Sequence, residues 1–104
     1  MVNPYRGECA LTLNGVSHPM RLSLGSLAEL ECAMKDDSLL SMVQRFETGK
    51  FKTQDLIQLL SAGLRGAGWQ GSEADLLKAE VEGGPLGAAK AAGLLLKITF
   101  GLPE

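Results

Sequence analysis

The sequence predicts an α+β fold, in which an N-terminal β-hairpin is followed by about five short helices that make up most of the chain. Alternating apolar and polar residues between positions 8 and 24 indicate two strands. The Asn14-Gly15 pair between them is a strong hairpin signal, because both central residues of a type I′ turn need a positive φ. After residue 25, apolar residues recur at helical spacing between capping residues and glycines. With 104 residues, the chain is expected to be a single domain over residues 1–104.

The hairpin is expected to have one apolar face that packs under the helices. A two-residue turn fixes the register, with Leu13 opposite Val16, Leu11 opposite His18 and Cys9 opposite Met20. Pro19 has no backbone N–H to donate, so the second strand should be irregular there or lie at an edge. The predicted apolar face consists of six residues: Cys9, Leu11, Leu13, Met20, Leu22 and Leu24.

The first two helices are predicted from their capping residues. Ser26 followed by Glu29 matches a capping box, so the first helix should begin there. The acidic pair Asp36-Asp37 should break this helix, and Ser38 should cap the second, which stops at Gly49.

Three further helices are predicted in the second half of the chain. Their expected bounds are Thr53 to the glycines at 66–68, Ser72 to about Glu82, and Pro85 to about Phe100. Thr53 and Ser72 are the predicted caps, and a proline is well tolerated in a first helical turn. In the fourth helix we expect three residues to point inward: Leu76, Leu77 and Val81.

Composition argues against several classes of protein. The formal charge is −2, and the basic residues form no stripe of the kind that nucleic-acid binding requires. Lys90 and Lys97 interrupt the longest apolar stretch, so we expect no membrane span. The N-terminal residues do not resemble a secretory signal. Cys9 and Cys32 are expected to be reduced thiols in a cytoplasmic protein.

No motif points firmly to catalysis. Residues 66–71 match the glycine pattern of dinucleotide-binding loops, but a predicted helix precedes them where that motif needs a strand, so a helix C-terminus is the favoured interpretation. His18 is the only histidine, and no acid or nucleophile lies at motif spacing from it. We therefore expect no cofactor, no metal and no enzymatic activity. An enzyme that uses His18 or this loop is the least favoured alternative.

Four residues are candidates for binding a partner protein: Trp69, Phe51, Leu94 and Leu95. Trp69 lies in a glycine-rich loop, where it either packs on the core or contacts a partner, since tryptophan is enriched at binding hot spots. Leu94 and Leu95 follow small residues at 87–93, which allow another helix to approach closely. That close packing is either within the chain or between subunits.

An ordered set of short motifs resembles one known family. These motifs are Asn3-Pro4, Arg6-Gly7-Glu8, residues 22–31, Arg45-Phe46, Gly49, Phe51, Asp55 and residues 64–68. Together they resemble the small tail assembly chaperones of gene transfer agents and siphophage-like tails, a family also labelled as tail tube proteins.

The resemblance implies a role without catalysis. A chaperone of this kind would bind the tape-measure protein, help the tail-tube protein polymerise around it, and be absent from the mature particle. The alternative is that the chain is itself a structural tail-tube subunit, although one hairpin offers little sheet for a tube. We also expect a homo-oligomer formed through the hairpin edges or the last helix.

Overall fold

The computed structural model describes residues 8–34 and 38–101. Within these ranges, the predicted hairpin and helices are confirmed, and the fold is α+β with helix predominating. The elements in chain order are β1 (Glu8–Leu13), β2 (Val16–Arg21), α1 (Leu24–Met34), α2 (Leu39–Thr48), α3 (Thr53–Gly66), α4 (Glu73–Lys78) and α5 (Gly84–Phe100). The predicted break at Asp36-Asp37 and the motifs at residues 3–7 lie outside the described residues.

The hairpin has the register that the turn predicts. Leu13 pairs with Val16, Leu11 with His18 and Cys9 with Met20, in an antiparallel pair. Asn14 and Gly15 take φ values of 51° and 82°, as the tight turn requires. Five of the six predicted face residues are buried: Cys9, Leu11, Leu13, Met20 and Leu22.

The prediction for Leu24 is wrong, because β2 ends at Arg21 and Leu24 begins α1 with 86% of its surface exposed. The predicted start of α1 is also wrong, since Ser23 rather than Ser26 supplies the cap. The Ser26 amide donates to the Ser23 hydroxyl at 3.1 Å, and the Leu27 amide donates to the Ser23 carbonyl at 2.9 Å. Ser26 is therefore buried inside the first turn.

Helix α2 begins and ends as predicted. The Ser41 amide donates to the Ser38 hydroxyl at 3.1 Å, and Gly49 ends the helix with a φ of 75°. The prediction for α3 is wrong by one residue, because Lys52 occupies the N-cap position. Its backbone amide donates to Asp55 Oδ2 at 2.9 Å, so the carboxylate of Asp55 stabilises this end of α3, and Thr53 is the first residue of the helix rather than its cap.

Helix α4 begins after Ser72 as predicted, but it ends at Lys78 rather than near Glu82. The chain beyond it pairs with the hairpin turn instead. The Asn14 amide donates to the Glu80 carbonyl at 2.8 Å, and the Glu82 amide donates to the Thr12 carbonyl at 3.0 Å. Val81 is half-buried beside Leu13, with which it forms an isolated β-bridge.

The inward orientation predicted for Leu77 is also wrong, since 61% of its surface is exposed. Leu76, one residue earlier, is the one that α4 buries. Helix α5 begins at Gly84 with the predicted proline in its first turn, and it ends at Phe100.

Helix α3 is the centre of the fold. It packs against β2, α1, α4 and α5, and its residues 59–64 are all buried. Glycine allows the closest approach, because a Cβ at Gly66 would collide with the backbone carbonyl of Arg21. Among the described helices, none combines the length and the apolar composition needed to cross a bilayer.

Candidate functional site

The two helices α2 and α5 leave an open groove between them, which we call the α2–α5 groove. Its volume is about 330 Å³. Gly93 explains part of this space, because a Cβ there would have nothing within 4 Å apart from its chain neighbours and the backbone of its own helix. The lining residues come from both helices: Val43, Phe46, Glu47, Lys90, Gly93, Leu94, Leu96 and Lys97.

The groove combines apolar and cationic surface. Leu94 is 47% exposed, so a large apolar side chain is accessible at the groove. Lys90 and Lys97 lie seven residues apart on α5, which places them on the same side of the helix about 10 Å apart. Glu47 is the one acidic residue among those that line the groove.

Two contacts hold α2 in place beside the groove. The Arg45 guanidinium donates from Nε to Asp55 Oδ2 and from Nη2 to Asp55 Oδ1, both at 2.9 Å. This bidentate geometry joins α2 to the first turn of α3. Phe46, which lines the groove, stacks on Phe51 with ring centroids 4.6 Å apart and an interplanar angle of 6°. The wall that α2 forms is therefore fixed by both polar and aromatic contacts.

A second groove lies between α3, α4 and the start of α5, with a volume of about 310 Å³. We call it the α3–α4–α5 groove. Leu77 lines this groove, and most of its surface is exposed to solvent. The lining is mostly apolar: Thr53, Leu56, Ile57, Leu60, Leu76, Leu77, Ala79, Val81, Gly84, Pro85 and Ala88. Such surface is suited to another apolar side chain, and no ionisable group among these residues could take part in acid–base chemistry.

The structure separates the four residues that the sequence proposes for partner binding. Leu94 lines the α2–α5 groove, and Phe51 lies next to it through the stack on Phe46. Trp69 is in a different place, half-buried, with its ring edge-on to His18 at a centroid distance of 6.4 Å. Leu95 is 0% exposed in the core, so it cannot touch another chain while this fold is intact.

The sequence reasoning missed the two lysines as functional candidates. The sequence shows that Lys90 and Lys97 are seven residues apart on one helix, on either side of Gly93. It does not show that α2 packs beside α5, and this packing is what places both lysines at a groove. Glu47 and Phe46 could be found only from that packing. Helical spacing identifies residues on one face, whereas a groove needs the neighbouring helix as well.

The residues considered for chemistry are dispersed. Cys9 is buried in the core, and desolvation raises the pKa of its thiol to about 11, while Cys32 is exposed. Residues 66–68 end α3 as predicted, with the Gly68 amide donating to the Arg65 carbonyl at 3.0 Å. Across residues 8–34 and 38–101, His, Cys, Asp and Glu form no cluster of three or more that could hold a metal ion.

Comparison with known proteins agrees with the resemblance seen in the sequence. A family model described as "Phage tail tube protein, GTA-gp10" matches residues 6–101. The match includes the C-terminal third, which contains none of the short motifs that resemble the family. No curated protein and no solved structure gives a significant match. Because the family model covers nearly the whole chain, this protein belongs to the GTA-gp10 family of phage tail proteins.

Proposed function

We propose that this protein is a component of the tail tube of a phage-like particle, and that it works by contacts with other tail proteins rather than by catalysis. The family description supports this proposal directly, because it names the tail tube. The structural observation that carries it is the open α2–α5 groove, where exposed Leu94 and two lysines form a surface suited to another protein. Interfaces of this kind combine an apolar centre with a charged rim.

A second candidate is an assembly chaperone that binds the tape-measure protein while the tube polymerises. The observation that favours it is the small sheet, since the described residues form only two strands. A tube whose subunits join through sheets needs more strand edge than one hairpin provides. In this role, the apolar grooves would hold amphipathic helical segments of the tape measure, as other helix-binding grooves do.

The composition of mature particles separates the two candidates. Particles would be purified from the producing bacterium, and the chain would be quantified by mass spectrometry against the other tail proteins. A tube subunit is expected in many copies per particle. A chaperone is expected in the cytoplasm during assembly and absent from the particle.

A binding experiment with the tape-measure protein tests the chaperone role directly. The purified chain would be mixed with the tape-measure protein encoded in the same gene cluster, with a Leu94→Ser variant as the control for the groove. Binding that the variant weakens would support the chaperone, provided that particles lack the chain. Absence from the particle together with no binding to the tape measure would contradict both candidates.

A further inference from the structure

We propose that the α2–α5 groove binds a second copy of this chain, through the segment formed by α4 and residues 79–82. The groove supplies apolar surface and two cations. The segment supplies an exposed leucine and carboxylates. The proposal rests on the proposed function for its role in a tail, but the contact itself can be tested on the purified protein.

The segment offers an apolar side chain, and the groove offers apolar space. Leu77 projects from α4 with 61% of its surface exposed. Burial of a leucine side chain is favourable, so this surface would be stabilised by a partner that covers it. The groove has open space beside Gly93, next to Leu94 and Phe46. A leucine from another copy that enters this space would bury apolar surface on both chains.

The segment is also the complement of the groove in charge. Residues 73–82 contain four carboxylates and one lysine, and all four carboxylate residues are exposed. The groove contains Lys90 and Lys97 against a single carboxylate, Glu47. Opposite charges around an apolar centre select the partner and orient it. Because both halves of this match lie on the same chain, a second copy is the occupant that the structure favours.

Two of the four carboxylates, those of Glu80 and Glu82, can be changed without disturbing the fold. The hydrogen bonds that tie Glu80 and Glu82 to the hairpin use their backbone atoms, so their side chains can be replaced. Lys90 is exposed, and Lys97 is half-buried in the last turns of α5. Substitutions on one side alone place like charges opposite each other, and mixing the two variant chains restores opposite charges.

Charge exchange is therefore the decisive experiment. Light scattering and sedimentation velocity would measure the dissociation constant for self-association of three proteins. These are the wild-type chain, a double variant that carries Lys90→Glu and Lys97→Glu, and a double variant that carries Glu80→Lys and Glu82→Lys. Each double variant alone is expected to associate at least about tenfold more weakly, because like charges then face each other. An equimolar mixture of the two is expected to associate again, since each chain meets the opposite charge on the other.

Two controls separate the contact from general effects. Arg21→Glu with Arg65→Glu makes the same change in net charge on β2 and α3 and should leave association intact. Leu77→Ser removes the apolar side chain without a change in charge and should weaken association, although the exposed position makes folding insensitive to it. Circular dichroism melting would confirm that each variant is folded.

Three results would each contradict the proposed contact. The wild-type chain could stay monomeric up to millimolar concentration, or the mixture of the two charge-reversed variants could fail to associate. The third is a loss of association in the Arg21 and Arg65 control as large as that in the groove variant. These results leave the proposed function standing as long as mature particles contain the chain. Conversely, charge-dependent self-association in a chain that particles lack would support the contact and overturn the role as a tube subunit.

Discussion

At the scale of single residues, the buried thiol of Cys9 makes stability depend on pH. Desolvation raises the pKa of Cys9 in the folded protein to about 11, from an ordinary value of 9.0. Below pH 9 the thiol is neutral in both states, and its contribution to stability is fully present. Between pH 9 and 11 the unfolded chain loses this proton while the folded chain keeps it. The free energy of unfolding should therefore fall across this range.

The expected loss is about 2 kcal/mol by pH 11, since one pKa unit corresponds to about 1.4 kcal/mol. Urea unfolding at several pH values between 8 and 11 would measure it. Cys9→Ala is the control, because it removes the thiol and leaves every other ionisable group in place. The difference in unfolding free energy between the two proteins should shrink as the pH rises. A difference that stays constant would contradict the assignment to Cys9.

Capping residues show where the sequence is informative at this scale and where it is not. Ser38 and Ser72 cap α2 and α4 as predicted, since each hydroxyl meets a free amide three residues ahead. At α1 two serines three residues apart compete, and the backbone path from β2 decides for Ser23. At α3 the acceptor is Asp55 and the N-cap is Lys52, a residue type that no capping rule would select.

At the scale of elements, the ion pair between Arg45 and Asp55 is the main polar link from α2 to α3. The side chains of Arg45 and Asp55 are only 23% and 10% exposed, and both guanidinium–carboxylate bonds are 2.9 Å long. Asp55→Asn is expected to destabilise the fold by about 3 kcal/mol, because it removes the charge that compensates a largely buried guanidinium. Chemical denaturation would measure this loss.

Glu29→Gln is the matched control for that substitution. The Glu29–Arg65 pair is 3.6 Å long, and both side chains are at least 49% exposed, so its loss should change stability by less than about 1 kcal/mol. Equal effects of Asp55→Asn and Glu29→Gln would show that burial adds nothing to the first pair. A selective effect would show that the largely buried pair, which joins α2 to α3 beside the α2–α5 groove, contributes more to stability than the exposed pair.

Element types were predictable from the sequence, whereas the end of α4 was not. The hairpin follows from Asn14-Gly15 and alternation, both of which are local signals. Residues 79–82 continue the helical pattern of α4, yet their backbone pairs with the hairpin turn. The deciding partners are 66 residues away at Asn14, so no local pattern reveals them. The α2–α5 groove escaped prediction for the same reason, because its walls come from helices distant in sequence.

At the scale of the whole molecule, this long-range contact joins the hairpin turn to the connection between α4 and α5. The hairpin opens the chain, and the segment after α4 returns to its turn through three backbone and side-chain hydrogen bonds: Asn14 N–H to Glu80 O, Glu82 N–H to Thr12 O, and Glu80 N–H to Asn14 Oδ1. Helix α4 and this segment together carry the exposed Leu77 and the carboxylates proposed to meet a second copy. The hairpin thus positions a surface that lies far from it in sequence.

Asn14→Gly tests this coupling, because glycine keeps the turn while it removes the amide oxygen that accepts from Glu80 at 2.9 Å. We expect a loss of about 1 kcal/mol in the free energy of unfolding, and faster hydrogen exchange at the Glu80 amide than in β1 and β2. Asn14→Asp is the control, since it retains an acceptor oxygen and should protect that amide better. Equal exchange at Glu80 in the two variants would mean that the Asn14 side chain does not hold the segment. Slower exchange in Asn14→Asp would establish that a turn residue of the hairpin positions residues 79–82, and through them the surface proposed for self-association.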